Sequence, residues 1–98
     1  MTKEQIIATL RAHESELHQR GIRHVALFGS VARGVATATS DIDILIELEP
    51  DAPIGVFEYV VLTDYIGALF PVRTDIANRA MLKPHVRPAA ERDAIYAF

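Results

Sequence analysis

A chain of 98 residues, half hydrophobic and 23% charged, is long enough to bury one core but too short for a second substrate-binding lobe. Its net charge of −3 and pI near 5.7 give no basic footprint for a nucleic-acid backbone, which disfavours a template-copying polymerase and any direct nucleic-acid partner. With no cysteine, disulfides, thiolate metal sites and thiol nucleophiles are excluded.

The chain opens on an amphipathic pattern and not on a charged-then-apolar leader, and no run of about 20 uncharged apolar residues follows. The expectation is a single domain over 1–98, cytoplasmic, with no membrane partner. Thr2 and Gln5 have capping-box spacing, and Ile6, Leu10, His13 and Leu17 share a helical face, so one packing helix is predicted up to Gly21. His13 on that stripe reads as a partly buried packing residue and is assigned no chemistry.

Residues 23–28, RHVALF, read as a buried strand ended by Gly29. Ser30 to Arg33 then form a helical turn whose free N–H groups face the strand end, Gly34 closes it, and VATATS is a polar loop. A second strand runs from Asp41 to about Leu48, with Pro50 and Pro53 at its exit. Residues 54–70 are the most apolar segment and by length predict a helix, one that needs cover on more than one side. That cover is either deep burial or an interface with another subunit.

After Pro71, VRTDIA reads as a third strand. The prolines in the remainder limit it to short helical pieces, with a last strand near Ile95–Phe98. Residues 79–98 carry a basic surplus against the acidic surplus of 1–78, a cationic end that is either a solvated face or turned to an anion. The order αβαβαβ with mixed pairing predicts an α/β (α+β) domain, a small mixed sheet with helices mainly on one face.

Chemistry concentrates in Gly29-Ser30 and Asp41-Ile42-Asp43. Alternation along a strand puts Asp41 and Asp43 on one face about 7 Å apart, with Ile42, Ile44 and Ile46 opposite. Two carboxylates this close repel, and a divalent cation relieves the repulsion. Asp75 is the candidate third ligand if two magnesium ions are to sit about 3.5–4 Å apart, and the candidate general base; it shares its face with Arg73 and Ala77. Gly29 permits close backbone approach to phosphate, and Ser30 offers a hydroxyl and an N–H. Arg33 either clamps a triphosphate oxygen or the leaving pyrophosphate, or caps the turn. A phosphate cradle beside paired metal-binding carboxylates points to nucleotidyl transfer.

The run GSVARGVATATSDIDILI resembles the signature of the DNA polymerase β nucleotidyltransferase superfamily, and more closely its minimal nucleotidyltransferase branch. The resemblance implies the polymerase β-like nucleotidyltransferase fold and a magnesium-dependent transfer of a nucleoside monophosphate from a triphosphate to a hydroxyl, releasing pyrophosphate. It matches Asp41 and Asp43 to the paired metal ligands, Asp75 to the third carboxylate, and Gly29 and Ser30 to the phosphate turn. It further implies an antitoxin that uses ATP to place AMP on a tyrosine of a cognate HEPN ribonuclease toxin. Two alternatives stand beside it: neutralisation of the partner by stoichiometric binding, and a two-chain enzyme that modifies a small molecule such as an antibiotic.

Overall fold

The computed structural model describes residues 1–34 and 41–98; the VATATS loop expected at 35–40 lies outside the described residues. Helix α1 (Lys3–Ala12) starts at the capping box read from the sequence, with Thr2 Oγ1 accepting from the Gln5 N–H at 3.1 Å and Gln5 Oε1 accepting from the Thr2 N–H at 2.9 Å. The single helix expected up to Gly21 is two, because α2 spans Glu14–Gln19 and the break falls at His13. The cause is local competition. His13 Nδ1 lies 2.8 Å from the Thr9 carbonyl, the acceptor its own backbone N–H needs to continue the helix, and that N–H bonds Leu10 O instead.

Four strands follow the apolar runs: β1 (Ile22–Phe28), β2 (Ile42–Leu48), β3 (Thr74–Asn78) and β4 (Ile95–Tyr96). They form one sheet in the order β3-β2-β1-β4, antiparallel except for the parallel pair β2 and β3. Parallel neighbours require a crossover, and α3 (Gly29–Ala32) and α4 (Val56–Gly67) divide the labour: α3 turns the corner between β1 and β2, and α4 carries the chain from β2 to β3. A 3₁₀ turn at Arg79–Met81 and α5 (Arg87–Asp93) precede β4. The expected small mixed sheet with helices mainly on one face is the observed architecture.

The core sits between the sheet and α1, α2 and α4. Ile6, Leu10 and Leu17 meet Val25, Leu27, Ile42, Ile44 and Ile46, with Leu62, Ile66 and Phe70 closing the far side. Each of these side chains removes enough apolar area to contribute about 1.5–3 kcal/mol before entropy is counted. Ala26 and Leu45, cross-strand partners, are buried on the opposite face. The cationic end of the chain is tied down on that side: Arg79 donates to Glu47 at 3.2 Å and to Glu91 at 3.1 Å, and Arg87 donates to Glu91 at 2.9 Å. These pairs hold the Glu91 carboxyl below its ordinary value, with Arg87 the larger cause.

The junction between α2 and β1 carries a titratable clasp. His18 Nδ1 donates to the Ile22 carbonyl at 2.8 Å and Nε2 donates to Glu14 at 3.2 Å, and only the imidazolium supplies both donors. Its pKa is raised above 6.5, first by the Ile22 carbonyl and then by Glu14. A group whose pKa rises on folding gives stability that is fully present below the unfolded value and lost as pH climbs through the folded value. The melting temperature should therefore fall as pH rises above about 6.5, and His18→Asn should flatten that fall. An identical slope in both proteins would assign the effect elsewhere.

Candidate active site

The sheet register assembles the acidic group. Asp43 on β2 pairs directly with Asp75 on β3, and Asp41 stands two residues before Asp43, where the Ile42 N–H donates to Arg73 O at 2.9 Å. Alternation and register put all three aspartates on one face. Ile42, Ile44 and Ile46 are buried on the other, as expected, and they anchor the strand beneath the carboxylates. On the far side of β2, Phe28 pairs with Asp43, so the chain leaves β1 into Gly29 and α3 directly beside the same carboxylate.

Gly29 is required twice over. Its φ is +74°, a conformation that side chains rarely adopt, and a Cβ there would fall 2.9 Å from Asp43 Cγ and 3.1 Å from Asp43 Cβ. The Asp43 carboxylate fills the space a side chain would take. Helix α3 has no side-chain cap, and the N–H groups of its first turn, from Gly29 and Ser30 on, have no acceptor within so short a helix. Oriented donors beside a carboxylate group suit an anion bridged to a cation.

Asp43 is half-buried, and its pKa is raised, first by desolvation and then by the charges of Asp75 and Asp41, with Arg33 opposing. Hard oxygen donors carrying mutual repulsion fit a divalent cation such as magnesium, so the residues present suit the expected metal. In the conformation seen, no three acidic or histidine side chains among the described residues converge on a single point. Two cationic side chains border the group instead. Arg73 Nε lies 3.8 Å from Asp41 Oδ2 and 3.8 Å from Asp75 Oδ1, and Arg33 Nη1 donates to Asp93 of α5 at 3.2 Å.

Arg73 and Asp93 carry no sequence signal for these contacts. The alternation of VRTDIA puts Arg73 on the face of Asp75, but its reach to Asp41 depends on the parallel register of β3 against β2. Arg33 and Asp93 meet 60 positions apart. A groove of about 530 Å³ lies between the crossover helix and the edge strand, with Tyr59, Thr63, Asp64 and Gly67 of α4 on one wall and Thr74, Asp75 and Ile76 on the other. Burial keeps the Tyr59 phenol above its ordinary value, so it lines the groove in its protonated form.

The chain and its fold have counterparts among known proteins. The chain is 35% identical over 97 residues to protein adenylyltransferase MntA of Thermococcus cleftensis, a match covering 98% of this chain and 96% of that protein. A solved structure provisionally classed as a minimal nucleotidyltransferase superposes with a TM-score of 0.78 at 34% identity, over 97% of this chain and 95% of the other. A toxin-antitoxin crystal structure with AMP-PNP shares the fold, with a TM-score of 0.68 at 14% identity over 90% of this chain and 72% of that one. The nucleotidyltransferase domain model matches residues 10–97, and on that match the chain belongs to the nucleotidyltransferase domain family and is an enzyme of that class.

Proposed function

We propose that this protein is an antitoxin that transfers AMP from ATP to a tyrosine hydroxyl of a partner toxin of the HEPN type, in the cytoplasm. The observation that carries the chemistry is the register that sets Asp75 against Asp43, with Asp41 on the same face and Gly29 packed on the Asp43 carboxylate. The protein acceptor is supported by 35% identity along nearly the whole length of a protein adenylyltransferase. The fold shared with a toxin-antitoxin protein is compatible with the partner.

In this reading Asp41, Asp43 and Asp75 hold two magnesium ions, which when bound neutralise the triphosphate and favour ionisation of the acceptor hydroxyl. The first-turn N–H groups of α3 and the Ser30 hydroxyl orient the phosphates, and Arg33 exchanges Asp93 for a phosphate oxygen. Asp75 accepts the proton as the tyrosyl oxygen attacks the α-phosphorus; the new P–O bond forms as the bond to pyrophosphate breaks.

The test is the intact mass of the partner after incubation with this chain, ATP and magnesium. Wild type should add one or more AMP units, and Asp41→Ala should add none while keeping its circular dichroism. Modification by the variant at the wild-type rate would sink the assignment. Neutralisation by binding is the second reading, favoured by the exposed apolar face of α4; under it, Asp41→Ala would still silence the toxin.

A further inference from the structure

Helix α4 is apolar on two sides, and the core accounts for only one. Leu62 and Ile66 are buried, whereas Val56, Phe57, Val60 and Val61 are 85%, 77%, 50% and 42% exposed. Positions 56, 57, 60 and 61 fall on one helical stripe, opposite the buried one. Lone exposed hydrophobes are ordinary on a protein surface, but four contiguous ones on one helix mark a contact.

We propose that α4 is the docking helix for the protein substrate, and that the occupant of its outer stripe is a protein segment apolar at its centre and flanked by Lys or Arg. This rests on the protein-directed reading above and gives that reading its surface. Two observations choose the occupant. The stripe is bordered by Glu58 and Asp64, which form no ion pair among the described residues, while the neighbouring Arg20 is neutralised by Glu16 at 3.0 Å and lies over Tyr65. The free charge around the stripe is thus acidic, and it complements a basic partner.

A second copy of this chain fits poorly. The stripe offers on the order of 400 Å², against roughly 800 Å² per partner in a stable interface. Stripe-to-stripe packing would also bring acidic side chains against acidic ones in either helix orientation. A different protein escapes both problems, because its contact continues around the helix. The flank of α4 that carries Tyr59, Thr63 and Gly67 lines a groove against Thr74, Asp75 and Ile76 of the edge strand, so a segment seated on the stripe can extend over it.

The test uses the full chain and the HEPN-type toxin proposed above as its partner, with Phe57→Glu, Glu58→Lys and Asp43→Asn compared by calorimetric binding, intact mass and sedimentation. Phe57→Glu should weaken binding about 10–100-fold, the range for loss of a central apolar anchor, and slow AMP addition in parallel. Glu58→Lys should weaken it less and reduce the salt dependence. Asp43→Asn should bind as wild type and add AMP about 10²–10³-fold more slowly. If wild type adds no AMP yet Phe57→Glu still loses binding, docking on α4 stands and the transferase reading falls. Undiminished binding by a folded Phe57→Glu variant, a wild type that does not bind, or a wild-type dimer that this variant dissociates without changing partner affinity would each overturn the docking proposal.

Discussion

Asp43→Asn should lower nucleotidyl transfer by about 10²–10³-fold, the scale for removing one preorganised electrostatic group from a reaction site, while the protein becomes more resistant to heat. The two effects share one origin. Asp43 is desolvated and faces the charges of Asp75 and Asp41, so its ionised form is strained by the same arrangement that would make it a cation ligand. A carboxyl whose pKa rises on folding destabilises the fold as pH increases from its unfolded value through the folded one, the reverse of a salt-bridged aspartate. Asparagine removes that slope. At neutral pH the variant should melt at a higher temperature than wild type, measured without divalent cations. A variant that is both inactive and less stable would show that Asp43 is held by favourable contacts and not by repulsion.

Gly29→Ala should be the most damaging single-methyl change near the site. The positive φ alone costs about 1–2 kcal/mol for a residue with a Cβ, and the new methyl would overlap the Asp43 carboxylate and adds about 1–3 kcal/mol of overpacking. The melting temperature should drop by on the order of 10 °C or more, and the displaced Asp43 should take the activity with it. Gly34→Ala is the control, because Gly34 has φ +75° but no neighbour within 4 Å among the described residues. It should lose only the backbone share and retain transfer. Equal losses in the two variants would mean that backbone strain, not contact with Asp43, is the reason for glycine at position 29.

The contrast between these two glycines marks where sequence reading stops. Local signals were legible: the Thr2–Gln5 box, the alternation that sets Asp41 and Asp43 on the face opposite the buried Ile42, Ile44 and Ile46, and the helix within 54–70, observed as Val56–Gly67. The strand expected from VRTDIA is Thr74–Asn78, shifted because it begins where pairing with β2 begins. What depends on non-local pairing was not legible. No periodicity announces that Asp43 faces Asp75 in parallel register, that Arg73 bridges Asp41 and Asp75, or that Arg33 meets Asp93. The break at His13 was missed for a different reason: a side chain taking the backbone's acceptor leaves the apolar stripe unchanged.

The sheet order has a further consequence for how the acidic group holds together. Strand β2, with Asp43, has a neighbour on each side, whereas β3, with Asp75, lies at the edge of the sheet and among the described residues pairs only with β2. Local opening free energies are lowest where a segment has the fewest partners. Release of β3 would carry Asp75 away from Asp41 and Asp43 while β1, β2 and the main core stay folded. The carboxylate group is therefore unequally anchored, two members in the most protected part of the domain and one on an element able to detach by itself. Amide hydrogen exchange would register this as a step in protection between Ile44 and Ile76, two residues that face each other across one ladder.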